Sequence, residues 1–533
     1  MRQEAALLHE LVERAAARSP ARIALHDALG ALSYGDLADL IGRFAAGLGA
    51  LGVTRGERVA IYLDKRRETV VASFGAPAHG AVFVPINPLL KAEQVAHILR
   101  DCSVRVLVTT GERHAALSSL LAQCEALRHV VVCGAGTAAP TAGVGPAVSA
   151  WQALLSAGEA DRHRVIDGDV AAILYTSGST GKPKGVVLSH RNIVAGAKSV
   201  ASYLQNEQDD VLLAALPLSF DAGFSQLTTA FHAGASAVLL NYLLPKDVVQ
   251  AVTAHRVTGL TAVPPLWIQL TQVKWDGDAG ASLRYFANTG GRMPLDTLQR
   301  LRKLLPQAKP FLMYGLTEAF RATYLPPEEV DRRPDSIGKA IPNSEILVLR
   351  PDGTPCDADE PGELVQRGAL VAQGYWSDPE KTAERFKPLP NRGDGLVLPE
   401  IAVFSGDTVR RDAEGFLYFI GRRDEMIKSS GYRISPSEVE EVLYATQLIG
   451  ECAAFGVPHP TLGESVVVVV TLPATAVPDI AQLHQLCRDR LPAYMVPSRI
   501  DVREGPLPRN ANGKIDRKSL AADARRATEG VAP

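Results

Sequence analysis

Cysteine is scarce in this chain. Six cysteines (Cys102, Cys124, Cys133, Cys356, Cys452 and Cys487) are scattered over 533 residues, with no Cys-x-x-Cys pair and no His/Cys cluster. That excludes a disulfide framework and a structural zinc site, and it fits a reducing compartment. An excess of charge of either sign is also missing: Lys plus Arg number 56 and Asp plus Glu 58, for a net charge of −2. Such a chain has no global basic field to hold nucleic acid or an anionic membrane, so any anion must be gripped by a local site. Long apolar runs are absent too. The tracts at 211–216 and 466–470 are far too short to span a bilayer. Glu4, His9, Glu10, Glu13 and Arg14 interrupt any signal-peptide core, and the final Gly530-Val531-Ala532-Pro533 carries no lipidation signal. A cytoplasmic protein with no nucleic-acid partner and no membrane insertion is expected.

What is present is ordinary globular material. Apolar residues make up 46 % and charged residues 21 %, enough to bury sizeable cores and unlike a disordered chain. At roughly 100–200 residues per domain the length implies about three to five packed units. In the first half, apolar residues at helical spacing (Leu37, Leu40, Ile41, Phe44, Leu48) alternate with short apolar strands at 58–63, 82–84 and 104–108. A second alternating set starts at Val170, with strands predicted at 211–216, 237–240, 259–263 and 283–287. Short apolar strands separated by helices imply parallel sheets with helices on their faces. From Ile337 to Phe419 the texture becomes β-rich. After Gly421 it is α+β, with helices predicted at 437–444 and 480–490 and strands at 453–456 and 466–471. The Gly-, Ala-, Thr- and Pro-rich stretch 134–146 reads as a surface loop.

The most informative segment is Tyr175-Thr176-Ser177-Gly178-Ser179-Thr180-Gly181-Lys182-Pro183-Lys184-Gly185, which follows the apolar strand 170–174. Glycines let backbone N–H groups approach a phosphate, hydroxyls donate to its oxygens, and lysines neutralise it. A plain turn does not explain so many donors and cations together. The loop is not a Walker A motif: only two residues separate Gly178 from Gly181, and Pro183 follows the lysine. Val186-Val187-Leu188-Ser189 then reads as a strand, so the loop joins strand to strand without a helix dipole behind it.

This loop resembles the signature of the adenylate-forming superfamily, which includes acyl-CoA synthetases, carrier-protein-loading adenylation domains and luciferases. Four further segments match in the family's order: Met313-Tyr314-Gly315-Leu316-Thr317-Glu318, Ser405-Gly406-Asp407, Gly421-Arg422-Arg423-Asp424 with Lys428-Ser429-Ser430-Gly431-Tyr432-Arg433, and Pro508-Arg509-Asn510-Ala511-Asn512-Gly513-Lys514-Ile515. Within the superfamily the chain is similar to stand-alone AMP-forming acyl-CoA ligases, including those encoded with bacterial exosortase systems. The resemblance implies an α/β fold: a large N-terminal domain (1–421) of two α/β subdomains and a β-rich one, then a small mobile α+β C-terminal domain (422–533).

The implied reaction has two halves. A carboxylate attacks the α-phosphate of Mg·ATP to give an acyl-adenylate and pyrophosphate; a thiol then attacks the acyl carbon and AMP leaves. The first step joins two anions, so it needs fixed positive charge and orientation. The resemblance gives Lys514 that task. It gives Asp407 and Arg422 the ribose hydroxyls, Tyr314 and the Gly290–Gly291 backbone the adenine, Thr317 the α-phosphate, and Glu318 the Mg²⁺. Thr176, Ser177, Gly178, Ser179, Thr180, Gly181, Lys182 and Lys184 would cradle the outer phosphates. Asp424 matches the hinge and Gly431 the thiol tunnel, while Phe220, Asp221, Phe224, Asn288 and Gly315 fall in the acyl pocket. A scaffold that had lost catalysis would show erosion at Lys514, Glu318 or Lys184, and all three are intact. Luciferase-type oxygen chemistry would use the same motifs.

The substrate signals conflict. Phe220-Asp221 resembles amino-acid-activating members, whose aspartate pairs with the substrate ammonium; alternatively Asp221 caps the helix that follows. The C-terminal segments at 434–440 and 456–464 resemble CoA ligases more. No phosphopantetheine site of a carrier domain follows Lys514, so the thiol is expected from free CoA or from the phosphopantetheine of a separate carrier protein. The partners expected are therefore a small carboxylic or amino acid and one of these thiols. His190 and His232 lie close enough in sequence to line the acyl site, although core or surface histidines are the simpler reading.

Overall fold

The computed structural model describes residues 4–134, 145–158, 162–176, 183–389, 399–422, 425–429, 432–459, 462–473, 479–510 and 513–529. Its large N-terminal part is built on two extended sheets. One has seven strands in the spatial order Ala147–Ala150, His129–Cys133, Val104–Thr110, Arg58–Tyr62, Val82–Pro85, Val170–Thr176, Lys184–Ser189. All neighbours in it are parallel except the last pair, which is antiparallel. The other has nine strands, in the order Lys339–Ala340, Thr323–Leu325, Lys309–Tyr314, Tyr285–Asn288, Gly259–Ala262, Val211–Ala214, Ser236–Leu239, Ile23–Asp27, Gly30–Ser33. The five central strands from Lys309–Tyr314 to Ser236–Leu239 are parallel. The expected alternation of strands and helices therefore yields doubly covered parallel sheet, as short apolar strands demand.

Chain order reverses at Val211–Ala214: the next strand, Ser236–Leu239, pairs on one side of it and the one after, Gly259–Ala262, on the other. Beyond the carboxyl ends of strands at such a reversal lies a crevice suited to ligands. Val211–Ala214 is shorter than the predicted 211–216 because Pro217 ends the ladder: Leu216 N–H donates instead to Gln226 Oε1 at 3.2 Å. The helix Asp221–Ala233 follows and is buried from Asp221 to Phe231. Phe224 on it packs against Phe83 and Phe74, with ring centres 4.9 and 5.6 Å away, and so ties the two sheets together.

A β-rich unit comes next, with strands Ser344–Leu349, Gly362–Gly368, Phe386–Pro388, Ile401–Arg411 and Leu417–Arg422 in one sheet. The C-terminal part carries another five strands and the helices Pro436–Tyr444, Ile480–Arg490 and Arg517–Glu529. Its central strand, Gly463–Val470, explains the valine run. Val466, Val468 and Val470 face one core with Leu443 and Leu483, while Val467 and Val469 face another with Phe455 and Leu520. A strand buried on both faces reads as continuous apolar sequence. This part touches the large one through Glu441 Oε1, which accepts from Leu295 N–H at 2.9 Å, and Gln447 Nε2, which donates to Asp296 Oδ1 at 2.7 Å. The mixed α/β architecture with a large N-terminal and a small C-terminal domain is thus the expected one. Among the described residues, no helix is long and apolar enough to cross a membrane.

Candidate active site

Strand ends meet at the mouth of the nine-stranded sheet. Asn288 ends Tyr285–Asn288, Tyr314 ends Lys309–Tyr314, and Phe220 and Asp221 follow Val211–Ala214 into the helix. The β-rich unit supplies Asp407 and Arg422, paired across neighbouring strands. Tyr314 Oη donates a short hydrogen bond to Asp407 Oδ2, and Arg422 Nε lies 3.4 Å from Oδ1. Burial raises the Asp407 carboxyl above the usual carboxylate range, and Arg422 partly offsets this. Tyr314 is pushed well up by burial and by Asp407, so it stays a donor.

Lys514 enters this cleft from the C-terminal domain. Its loop is pinned by Asn510, whose Oδ1 accepts from Lys514 N–H at 3.1 Å, and turned by Gly513 with φ +79°. The ammonium sits 5.7 Å from the centre of the Phe220 ring. Gly290 makes room for it. The φ of Gly290 is +76°, and a β-carbon there would stand 3.1 Å from Lys514 Cε. Burial lowers the Lys514 pKa; Asp221 and Asp407 oppose that shift and Arg422 adds to it. A desolvated ammonium flanked by carboxylates and a guanidinium is suited to bridge two anions.

Asp221 does not cap its helix. Phe220 occupies the N-cap with no side-chain cap bond, and the Asp221 carboxylate points elsewhere. Arg321 Nη1 donates to Oδ2 at 2.8 Å and Thr317 Oγ1 donates to Oδ1 at 3.1 Å. Both members of the Asp221–Arg321 pair are almost fully buried, at 4 % and 3 % exposure. Removing one partner of such a pair typically costs about 3–5 kcal/mol, because the other charge is left uncompensated. Neither sequence reading of Asp221 anticipated a protein guanidinium upon it.

Glu318 is oriented by Tyr375, whose Oη donates to Oε1 at 2.7 Å. The Tyr375 ring also receives Lys184, with Nζ 5.3 Å from its centre. Burial lowers the Lys184 pKa, and the neighbouring cations Lys381 and Arg385 lower it further, so the outer end of the cleft gathers positive charge. Among the described residues no group of three or more His, Cys, Asp or Glu could hold a metal ion. A single carboxylate suits Mg²⁺, which is commonly held by one or two carboxylates together with substrate phosphates.

The other expected residues divide as follows. Thr176 and Lys184 face each other across the antiparallel pair that brackets the glycine-rich loop, confirming a strand-to-strand connection. Ser177, Gly178, Ser179, Thr180, Gly181 and Lys182 lie outside the described residues, as do the expected hinge Asp424 and Gly431. Gly315 follows Tyr314 at the strand end, and Asn288 Nδ2 donates to Gly291 O at 2.8 Å, fixing the Gly290–Gly291 turn. Phe224 is 1 % exposed and belongs to the aromatic core rather than to the cleft, because its helix position faces Phe83 and Phe74. His190 is a core histidine: its Nδ1 accepts from Leu8 N–H at 2.9 Å. His232 sits in the last turn of the helix Asp221–Ala233, far along from its first residue. Arg321, Tyr375, Lys381 and Arg385 escaped the sequence reading.

The sequence profile of the AMP-binding enzyme family matches residues 12–376, and that of the AMP-binding enzyme C-terminal domain matches 438–514. The chain belongs to the AMP-binding enzyme family. This AMP-binding enzyme is 31 % identical to an L-proline--[L-prolyl-carrier protein] ligase of Pseudomonas fluorescens, over 97 % of its length and 99 % of the relative's. It is 32 % identical to a feruloyl-CoA synthase of Amycolatopsis, over 94 % and 96 %. It is also 31 % identical to a plipastatin synthase polypeptide of Bacillus subtilis over 97 % of its own length, but it spans only 19 % of that protein. Among solved structures it resembles the anthranilate CoA ligase AuaEII in complex with anthranoyl-AMP, with TM-score 0.88, 25 % identity and 98 % of both chains covered. It also resembles the Bacillus subtilis o-succinylbenzoate coenzyme A synthetase in complex with ATP and magnesium ion, with TM-score 0.80, 27 % identity, and 96 % and 98 % covered.

Proposed function

We propose that this AMP-binding enzyme is an acid–thiol ligase: it activates a carboxylic acid with Mg·ATP as acyl-AMP, releases pyrophosphate, and passes the acyl group to the thiol of CoA. The observation that carries this reading is the seat of Lys514, in one cleft with Phe220, Asp221, Asp407 and Arg422. An ammonium at that point relieves the repulsion between an incoming carboxylate and the α-phosphate and offsets the charge that builds in the transition state. Asp407 accepts from the ribose hydroxyls and Arg422 donates to one of them. The Tyr314 ring and the Gly290–Gly291 backbone flank the adenine, and Thr317 donates to the α-phosphate. Thr176, Lys184 and the six residues 177–182 take the outer phosphates. Mg²⁺, when bound at Glu318, supplies Lewis-acid charge to the phosphate oxygens. For the second half-reaction the C-terminal domain turns at Asp424, withdraws Lys514 and brings Gly431 to the thiol.

The wholly buried cysteines and the balanced charge support a cytoplasmic setting. A second reading, loading of an amino acid onto a separate carrier protein, is supported by the carrier-protein ligase that matches over its whole length. Acid-dependent ATP–pyrophosphate exchange across a panel of carboxylic and amino acids tests the first half-reaction. Mass spectrometry of the thioester with CoA or a phosphopantetheinylated carrier tests the second. ATP binding with no exchange on any acid would overturn the ligase reading; exclusive transfer to the carrier would select the second.

A further inference from the structure

The acid end of the cleft is closed by the buried Asp221–Arg321 pair, whose remaining hydrogen-bonding capacity is unevenly used. Arg321 Nη1 serves Asp221 and the Phe320 carbonyl, at 2.8 and 2.9 Å. Arg321 Nε, however, is buried with no hydrogen-bond partner, and so is Thr229 Oγ1. Arg321 and Thr229 line the same cavity, of about 20 Å³, with Ser225 and Thr261 beside them. That volume holds about one water. Gly259 also lines it, and a β-carbon there would clash at 2.3 Å with Tyr285 Oη. The backbone is strained to deliver this arrangement: Phe320, directly before Arg321, has φ +56° and ψ −48°, a conformation bulky residues rarely adopt.

We propose that Arg321 is the specificity-determining residue of the acid site, and that the acid is a short one carrying an uncharged oxygen, hydroxyl or oxo, beside its carboxylate. The inference rests on the ligase reading above. Three kinds of substituent can be weighed against the pair. An ammonium finds each Asp221 oxygen already accepting one hydrogen bond, from Thr317 and Arg321, the carboxylate charge already paired, and a guanidinium of its own sign beside it. A second carboxylate would compete with Asp221 for Arg321 and leave an excess buried negative charge, which is costly. An uncharged oxygen accepts from the unpaired Nε, and a hydroxyl also meets the unpaired Thr229. A plain alkyl chain leaves both groups unsatisfied, and sites built to hydrogen-bond a substrate strongly reject analogues that lack the group.

The test compares 2-hydroxybutyrate, 2-oxobutyrate, butyrate, 2-aminobutyrate and succinate in ATP–pyrophosphate exchange with the full-length enzyme. We expect kcat/KM for the hydroxy or oxo acid to exceed that for each of the other three at least ten-fold. In Arg321→Gln, which frees Asp221, the ratio of 2-aminobutyrate to 2-hydroxybutyrate use should rise at least ten-fold. Arg321→Lys keeps the charge on Asp221 and should still reject the amine. Preference of the wild type for 2-aminobutyrate, succinate or butyrate would overturn this inference and leave the ligase reading standing. Silence on all five acids with ATP bound would overturn this inference, whereas the ligase reading falls only if the broad acid panel is silent as well. If Arg321→Gln fails to bind ATP, the wild-type ranking and the Arg321→Lys profile decide.

Discussion

Tyr375 holds Glu318 through a 2.7 Å hydrogen bond although the two stand 57 positions apart. The hydroxyl engages one carboxylate oxygen, Oε1, and so restricts the orientation of the group. Tyr375→Phe should therefore raise the Mg²⁺ concentration that half-saturates exchange several-fold. Its stability cost should be about 1 kcal/mol, the ordinary worth of such a bond. Metal titration of the exchange rate measures this; an unchanged half-saturation point would make Tyr375 a packing residue only.

Lys514→Ala removes the buried ammonium beside the Phe220 ring, whose charged form Asp221 and Asp407 favour. Loss of a single transition-state donor commonly costs about 10²–10³ in rate, and we expect a fall of that size in exchange. Thioester formation from a supplied acyl-adenylate should stay within about ten-fold of wild type. Equal losses in the two half-reactions would contradict a lysine that serves only the first.

Gly290→Ala places a β-carbon 3.1 Å from Lys514 Cε at a φ of +76°. The left-handed backbone costs an alanine about 1–2 kcal/mol, and the β-carbon crowds both Val263 Cγ1, at 3.0 Å, and the Lys514 side chain, so the lysine tip must shift. We expect exchange to drop at least ten-fold while the melting temperature falls by only a few degrees. Unaltered exchange kinetics would show that the Lys514 position tolerates displacement.

The pH profile of exchange follows from two shifts. Burial raises Asp407, and its proposed grip on the ribose hydroxyls is strongest when it is ionised, so the acid limb should lie above the ordinary carboxylate range. Burial lowers Lys514, which works only when protonated, so the basic limb should lie below the ordinary lysine range. Arg422 lowers both groups. Replacing it with glutamine should move both limbs to higher pH, besides weakening ATP binding. A limb that moves to lower pH in Arg422→Gln would contradict the assignment.

How much of this was legible beforehand differs by kind of information. The parallel sheets were, because short apolar strands such as 104–108 and 259–263 signal burial on both faces, and the helix predicted at 480–490 has those bounds in the structure. The segments around Tyr314, Asp407 and Lys514 were recognisable as motifs, and folding brings them into one cleft. Arg321 was not legible. It lies 100 positions from Asp221, follows a motif without belonging to it, and a lone arginine has no periodic signature. Asp221 was ambiguous because capping depends on backbone angles, which put Phe220 rather than Asp221 at the cap. Proximity in sequence places Phe224 in the pocket, but helical rotation turns it towards Phe83.

The small domain rests on the large one partly through Glu441 and Gln447, which reach the first turn of the helix Leu295–Leu304. Hydrogen bonds of this kind are worth about 0.5–1.5 kcal/mol each, since water can replace either partner. Neither bond alone fixes the small domain, so a ligand with differential affinity for the docked arrangement would add to its hold. Under the proposed function the chemical progress of the nucleotide would act as the clock of the cycle. On that reading, intact triphosphate and acid would hold the lysine tip in place, and the departure of pyrophosphate would remove part of the negative charge that kept it there.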